Sequence, residues 1–155
     1  MKIVLTLLLA VSFSFANYSI YYGDLKLGII QDINTIKQNY LKIKVTSSLA
    51  KFFLGKKEVV YYNDDSTLQH TNKDTKYKRD KYHIIDVLKQ SISNQLADGK
   101  IHINKEKYLN IKKKKDYTFQ YVSKGRVKSD GSIKIKEAQL ISLIDTKNHV
   151  KIIKN

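Results

Sequence analysis

Cysteine, proline and tryptophan are absent from this chain of 155 residues, and it holds only six glycines. Without cysteine there is no disulfide, no thiol nucleophile and no cysteine-rich zinc site, so packing and hydrogen bonds must stabilise the fold. Without proline there is no proline-rich linker to separate two domains. These absences favour one domain with an ordinary hydrophobic core.

Long hydrophobic runs are also missing, apart from a short one at the N-terminus. Lys2 precedes an apolar run over residues 3–11, and the small residues Ser14 and Ala16 follow. This order is typical of a secretory signal peptide. Residues 3–16 are too few to cross a bilayer as a helix, which takes about 20 residues. We therefore predict a signal peptide at 1–16, cleaved after Ala16, and one domain at 17–155 in the periplasm or outside the cell.

Acidic residues are few, with 14 Asp and Glu against 29 Lys and Arg, so the formal net charge is +15. Such a chain is attracted to anionic partners, among them lipid headgroups, lipopolysaccharide, acidic glycans and nucleic acid. Nucleic acid is the least favoured of these, because its readers prefer arginine and this chain has only Arg79 and Arg126. A lysine-rich composition is also expected from an A/T-rich genome, and both explanations stay open.

Strand patterns dominate the predicted mature domain. Over residues 38–47 the apolar residues Leu41, Ile43 and Val45 alternate with polar ones, which is typical of a strand with one wet face. Further strands are predicted at 18–22, 25–30, 58–62, 67–72, 75–85, 100–104, 108–114, 117–124, 126–128, 132–143 and 150–153. We therefore expect a mainly β fold, a curved antiparallel sheet or partial β-barrel with one short helix.

Helix and turn signals divide these strands. A helix is predicted at 86–97, started by Asp86 and followed by Gly99, and a single helical turn at 48–54 ends at Gly55. The pair Asp130-Gly131 predicts a tight hairpin turn, and residues 145–148 predict another.

Catalytic and metal motifs are not evident. The histidines have no metal-motif spacing, and there is no nucleophile elbow, phosphate-binding glycine loop or dinucleotide fingerprint. The histidines lie at positions 70, 83, 102 and 149. We therefore expect no cofactor, no metal and no enzyme, with a hydrolase built on Glu58, Glu106, Glu137 and His83 as the alternative.

Two segments are candidates for ligand contacts. The run Lys112, Lys113, Lys114 and Lys115 beside Tyr117 is either an anionic-ligand patch or a solvated strand end that deters edge-to-edge pairing. The apolar residues 52–54 either line a cavity that takes an acyl chain or pack in the core.

The opening Tyr18-x-x-Tyr21-Tyr22-Gly23-x-x-x-Leu27-Gly28 resembles the opening of an uncharacterised family of exported proteins of Gram-negative bacteria. The resemblance continues in the alternating strand 40–45, the Lys-Tyr stretch 76–78, the helix near 86–88 and the closing strands 131–135 and 145–153. It implies a β-barrel-like envelope protein of no established activity. It also implies that Tyr22, Gly23 and Gly28 form a structural motif, in which the glycines permit tight bends and close strand approach.

Three hypotheses of function follow. We prefer non-enzymatic binding of an envelope component, either a lipid or a glycan. The second is a structural or interaction protein that pairs with an outer-membrane partner, and the third is the hydrolase named above.

Overall fold

The structure is a computed structural model that describes residues 17–93 and 96–155. The predicted signal peptide at 1–16 lies outside the described residues, and so do Asn94 and Gln95 within the predicted helix. Over the described ranges, we find no helix with the length and apolar character that a membrane crossing requires.

The described residues form one sheet of eleven strands. The strands are β1 (Tyr18–Tyr22), β2 (Leu25–Ile30), β3 (Tyr40–Val45), β4 (Glu58–Tyr62), β5 (Thr75–Arg79), β6 (Gly99–His102), β7 (Lys107–Lys113), β8 (Tyr117–Ser123), β9 (Arg126–Lys136), β10 (Gln139–Asp145) and β11 (Val150–Lys154). Their order across the sheet is β5-β4-β3-β2-β1-β11-β10-β9-β8-β7-β6. Neighbours run antiparallel except β4 and β5, which are parallel. The predicted mainly β class is confirmed, and the sheet is open rather than closed into a barrel.

Helices lie on one face of this sheet. They are α1 (Ser48–Leu54), α2 (Ile84–Ile92) and a 3-10 helix (Ile33–Gln38), which the sequence did not predict. The core unites α2 and the 3-10 helix with apolar side chains from both halves of the sheet. One surface depression is lined by Arg79 at the β5 end and by Lys107 near the β6 end. The sheet therefore curls around α2, which lies in the segment that links its two edge strands.

Two tight contacts between strands require glycine. A Cβ atom on Gly28 would lie 2.1 Å from the carbonyl oxygen of Lys44, and one on Gly131 would lie 1.8 Å from that of Ile144. Real Cβ atoms never come so close, so both glycines permit close backbone approach.

The hairpin predicted at Asp130-Gly131 is wrong. Strand β9 runs without a break through both residues, and Gly131 pairs with Phe119 on one side and Asp145 on the other. The chain turns instead at Glu137 and Ala138, which both adopt positive φ angles of 52° and 58°. Gly131 is needed because the backbone of β10 passes close to it, and the Asp-Gly pair therefore does not mark a turn here.

The prediction for residues 67–85 also needs correction. Residues 67–72 form no strand, and the strand predicted at 75–85 ends at Arg79. Helix α2 begins at Ile84 rather than Asp86, because the carboxylate of Asp80 accepts the backbone N–H of Ile85 at 2.8 Å. The predicted helix at 48–54 is confirmed, and its C-cap Gly55 has φ 72°.

Candidate functional site

An apolar cleft opens between α2 and the half of the sheet that holds β1 to β4. Its wall consists of Ile20, Tyr22, Leu27, Leu41, Tyr61, Tyr82, Ile84, Ile85 and Val150, with the carboxyl group of Asp80. The cleft has a volume of about 70 Å³. Ligand pockets usually measure roughly 300–1,000 Å³. In this conformation the cleft therefore admits a short apolar segment, and a longer chain requires its walls to move apart.

A basic pocket adjoins the cleft and shares two of its residues. Tyr61 and Tyr82 line both, and Lys78, Arg79 and Lys81 complete the basic pocket, whose volume is about 320 Å³. The parallel register of β4 and β5 pairs Tyr61 with Lys78, so both side chains leave the same face of the sheet. The apolar cleft and the basic pocket thus lie on either side of the rings of Tyr61 and Tyr82.

The positive charge of the basic pocket is largely uncompensated. Arg79 forms an exposed ion pair with Asp64 at 3.0 Å, whereas Lys78 and Lys81 have no carboxylate within 4.0 Å among the described residues. Burial lowers the pKa of Lys78, and the neighbouring charges of Lys76 and Lys81 lower it further. A bound anion would relieve this repulsion.

Asp80 connects the cleft to the start of α2. Its carboxylate accepts the backbone N–H groups of Ile85 at 2.8 Å and Tyr82 at 3.2 Å. Burial raises the pKa of Asp80 to about 6, although these hydrogen bonds act in the opposite direction. Burial, with smaller effects of Tyr82 and Asp80, also raises the pKa of Tyr61. Asp80 therefore anchors the helix that forms one wall of the cleft.

A polar depression lies on the other side of Asp80, between the two ends of the sheet, and includes His83, Asp86 and Lys107. The Tyr121 hydroxyl donates to Asp86 Oδ2 at 2.7 Å, and the His83 ring stacks on Tyr121 with centroids 4.6 Å apart. Burial raises the pKa of Tyr121, as does its hydrogen bond to Asp86, and burial lowers the pKa of His83. This arrangement ties α2 to β8 by packing and a charge-assisted hydrogen bond.

The predicted lysine patch lies elsewhere in the sheet. Lys112 and Lys113 end β7, Lys114 and Lys115 form the turn that follows, and Tyr117 begins β8. All four lysines are exposed, and Lys113 Nζ lies 5.6 Å from the centroid of the Tyr117 ring. None of them lines the apolar cleft or the basic pocket.

Both interpretations of residues 52–54 are wrong for the two phenylalanines. Phe52 and Phe53 are 81% and 67% exposed, so they neither line a cavity nor pack in the core. Leu54 is half-buried against a small cluster of Val45, Ala50 and Val59. Helix α1 buries its Ala50 side, and this rotation leaves both rings outside.

The residues of the hydrolase hypothesis lie in separate places. Glu58 on β4 pairs with Lys42 at 3.0 Å and accepts the Thr75 hydroxyl, whereas Glu106 and Glu137 are exposed in turns. Each histidine lies beside a tyrosine: His70 with Tyr62 and Tyr77, His83 with Tyr121, His102 with Tyr108, and His149 with Tyr22. Within 17–93 and 96–155, no cluster of three or more His, Asp or Glu has metal-binding geometry.

The comparisons found no family model, no curated protein and no solved structure that matches this chain. The resemblance to the exported Gram-negative family therefore stays a prediction.

Sequence reasoning missed the residues that form the two linked depressions. The stretch 76–82 reads Lys-Tyr-Lys-Arg-Asp-Lys-Tyr, and its mixture of lysine and tyrosine was the available signal. Its approach to Tyr61 depends on the parallel pairing of β4 with β5, which no turn or spacing in the sequence indicates.

Proposed function

We propose that this protein is an exported, non-enzymatic binding protein for an anionic amphiphile of the cell envelope. The observation that carries the proposal is the contact between the apolar cleft and the basic pocket across Tyr61 and Tyr82. An amphiphile has the same two parts, an apolar chain and a charged head, joined end to end. Export rests on the signal-like pattern of residues 1–16.

The lining of the cleft favours a lipid over a glycan. Apart from Asp80, its wall is built from Ile, Leu, Val and Tyr side chains, which offer an apolar chain a contact surface. A glycan would need a dense set of polar partners there, because an unpaired buried hydroxyl is costly. Lys78 and Lys81 supply charge for a phosphate or carboxylate head.

The proposal is tested with amphiphiles that share one chain and differ in the head. Dodecyl phosphate and dodecyl maltoside, both below their micelle-forming concentrations, are titrated into the purified protein by calorimetry. We expect dodecyl phosphate to bind more tightly than the neutral maltoside and than inorganic phosphate. The double substitution Lys78→Gln with Lys81→Gln should lower the affinity for dodecyl phosphate about tenfold, which corresponds to about 1.4 kcal/mol of binding free energy.

The matched control is Lys112→Gln with Lys113→Gln, which removes the same charge at exposed positions outside the site. The control should bind dodecyl phosphate as the unmodified protein does. Equal binding of dodecyl phosphate and inorganic phosphate would contradict a role of the apolar cleft. Equal loss in the two double variants would contradict a defined head-group pocket.

A further inference from the structure

Helix α1 carries an apolar surface that the described part of the chain leaves open. Leu49, Phe52 and Phe53 are 55%, 81% and 67% exposed, and together we name them the α1 knob. The two rings contact each other edge-to-face, with centroids 5.6 Å apart. Large apolar side chains grouped in this way are uncommon on a protein surface unless they meet a partner.

The exposure is a fixed property of the fold, because α1 is held at both ends and on its inner side. The Ser47 hydroxyl accepts the Ala50 N–H at 2.9 Å at the start, and Gly55 closes the end. Ala50 is fully buried against Val45 and Val59. The helix cannot rotate its rings inward without displacing this contact.

Positive charge surrounds the α1 knob. The segment 46–57 contains Lys51, Lys56 and Lys57 and no acidic residue. Lys56 Nζ donates to the Lys73 carbonyl and Lys76 Nζ to the Leu54 carbonyl, both at 2.9 Å, so two further lysines adjoin the helix. Glu58, which follows this segment, is paired with Lys42 at 3.0 Å, and Asp74 lies in the turn before β5.

We propose that the α1 knob inserts into the interface of an anionic lipid bilayer while its lysines contact the headgroups. Aromatic and leucine side chains bordered by lysines are the combination that binds peripheral proteins to such a surface. An anionic bilayer complements both the apolar rings and the surrounding charge. This surface is independent of the cleft and of whether the cleft binds an amphiphile.

The position of α1 gives this docking a further consequence. Leu27 and Tyr61 pack against the α1 cluster and also line the apolar cleft. A membrane that holds the α1 knob therefore lies next to the cleft. Docking brings the cleft close to the surface from which an amphiphile would be taken or to which it would be delivered.

The first test is co-sedimentation of the purified protein with phosphatidylcholine vesicles that contain or lack phosphatidylglycerol. We expect binding to require phosphatidylglycerol and to weaken at high salt. Phe52→Ser with Phe53→Ser should lower the partition constant at least about tenfold, since two rings lose their apolar contact with lipid. Ile153→Ser, at an exposed apolar position on β11, should leave it unchanged.

Charge is tested with matched triple variants. Lys51→Gln, Lys56→Gln and Lys57→Gln together should weaken vesicle binding by about fivefold per lysine at low salt. Lys112→Gln, Lys113→Gln and Lys114→Gln together remove the same charge far along the sheet and should have a small effect. Equal losses in the two triple variants would overturn a localised docking surface, and so would the absence of vesicle binding.

Insertion is read out separately with a single indole, because the chain contains no tryptophan. Phe53→Trp should show blue-shifted emission when phosphatidylglycerol vesicles are added, whereas Ile153→Trp should not. A bound protein whose Phe53→Trp emission stays unshifted would overturn insertion. The variant with both Phe52→Ser and Phe53→Ser should still bind dodecyl phosphate. A failure of membrane docking is therefore distinguishable from a failure of amphiphile binding.

Discussion

The carboxylate of Asp80 accepts the backbone N–H of Ile85 at 2.8 Å, and this contact starts α2 where the chain leaves the edge of the sheet. Asp80 is only 8% exposed, so an acidic group lies between the apolar cleft and the first turn of the helix. Burial of this carboxyl raises its pKa above the ordinary value of 3.8 to about 6. The start of α2 should therefore be sensitive to pH.

The first prediction concerns this sensitivity. Because the folded protein holds the Asp80 proton more tightly than the unfolded chain, the contribution of Asp80 to stability is largest below about pH 4. It is lost as pH rises through about 6, and amounts to about 3 kcal/mol. Asp80→Asn keeps one of the two acceptor oxygens, enough for the Ile85 N–H, and removes the titration.

Urea unfolding of the protein and of Asp80→Asn at pH 4 and pH 7 checks this. The difference between their free energies of unfolding should change by about 2 kcal/mol between the two pH values, because part of the full effect lies below pH 4. Asp74→Asn, in an exposed turn, is the control and should show a much smaller change. A constant difference for Asp80→Asn would contradict the prediction.

The second prediction concerns the hydrogen bond from Tyr121 to Asp86, which joins β8 to α2 at 2.7 Å. Tyr121→Phe should lower the free energy of unfolding by about 1–3 kcal/mol, because Asp86 loses a charge-assisted partner. Tyr108→Phe, whose hydroxyl is not part of this contact, should stay within about 0.5 kcal/mol. A double-mutant cycle with Asp86→Ala gives the coupling energy of this hydrogen bond, and additive effects of the two substitutions would contradict the coupling.

The third prediction separates steric contact from backbone strain at glycine. Gly131→Ala places a Cβ against the Ile144 carbonyl and should cost more than about 3 kcal/mol or prevent folding. Gly125 has open space around it but a φ of 71°, so Gly125→Ala should cost only about 1 kcal/mol. Soluble yield and urea midpoints compare the two. Equal stability would contradict the close approach of β9 and β10.

The fourth prediction concerns the salt dependence of amphiphile binding. Lys78 is half-buried and Lys81 exposed, so salt should screen their attraction for a charged head. The affinity for dodecyl phosphate should fall as sodium chloride rises, while that for dodecyl maltoside should stay level or increase slightly. Calorimetric titrations at several salt concentrations measure this. An affinity for dodecyl phosphate that does not change with salt concentration would contradict a role of the two lysines.

The sequence predicted the strands well where alternation and turn chemistry agree. Strands β1, β2 and β4 and helix α1 have the predicted bounds, because each ends at a glycine or at a cluster of polar turn residues. The errors arose where a residue was interpreted from its sequence neighbours although contacts with distant parts of the chain determine its role. Gly131 looked like a turn residue, yet it serves strand packing. Asp86 looked like the helix cap, yet Asp80 provides the capping carboxylate.

The site was less predictable than the fold, because it depends on pairing between distant segments. Tyr61 and Lys78 meet through a parallel register, and spacing along the chain does not encode which strands pair. The lysine run at 112–115 drew attention by its density, but Lys112 lines a separate depression of about 370 Å³ rather than the apolar cleft or the basic pocket. The exposure of Phe52 and Phe53 follows from the rotation of a short helix, which two adjacent aromatic residues do not specify.

The pairing of β1 with β11 at the middle of the sheet also has a consequence for folding. The Tyr18 hydroxyl donates to the Leu140 carbonyl, 122 positions away, so the two halves of the sheet join only by closing a very long loop. Within each half, most strands pair with strands that are close in sequence and can form early. We therefore expect the pairing of the two halves to limit the folding rate. A circular permutant that links Asn155 to Asn17, whose backbones already bond at 3.0 Å, should refold faster in stopped-flow measurements.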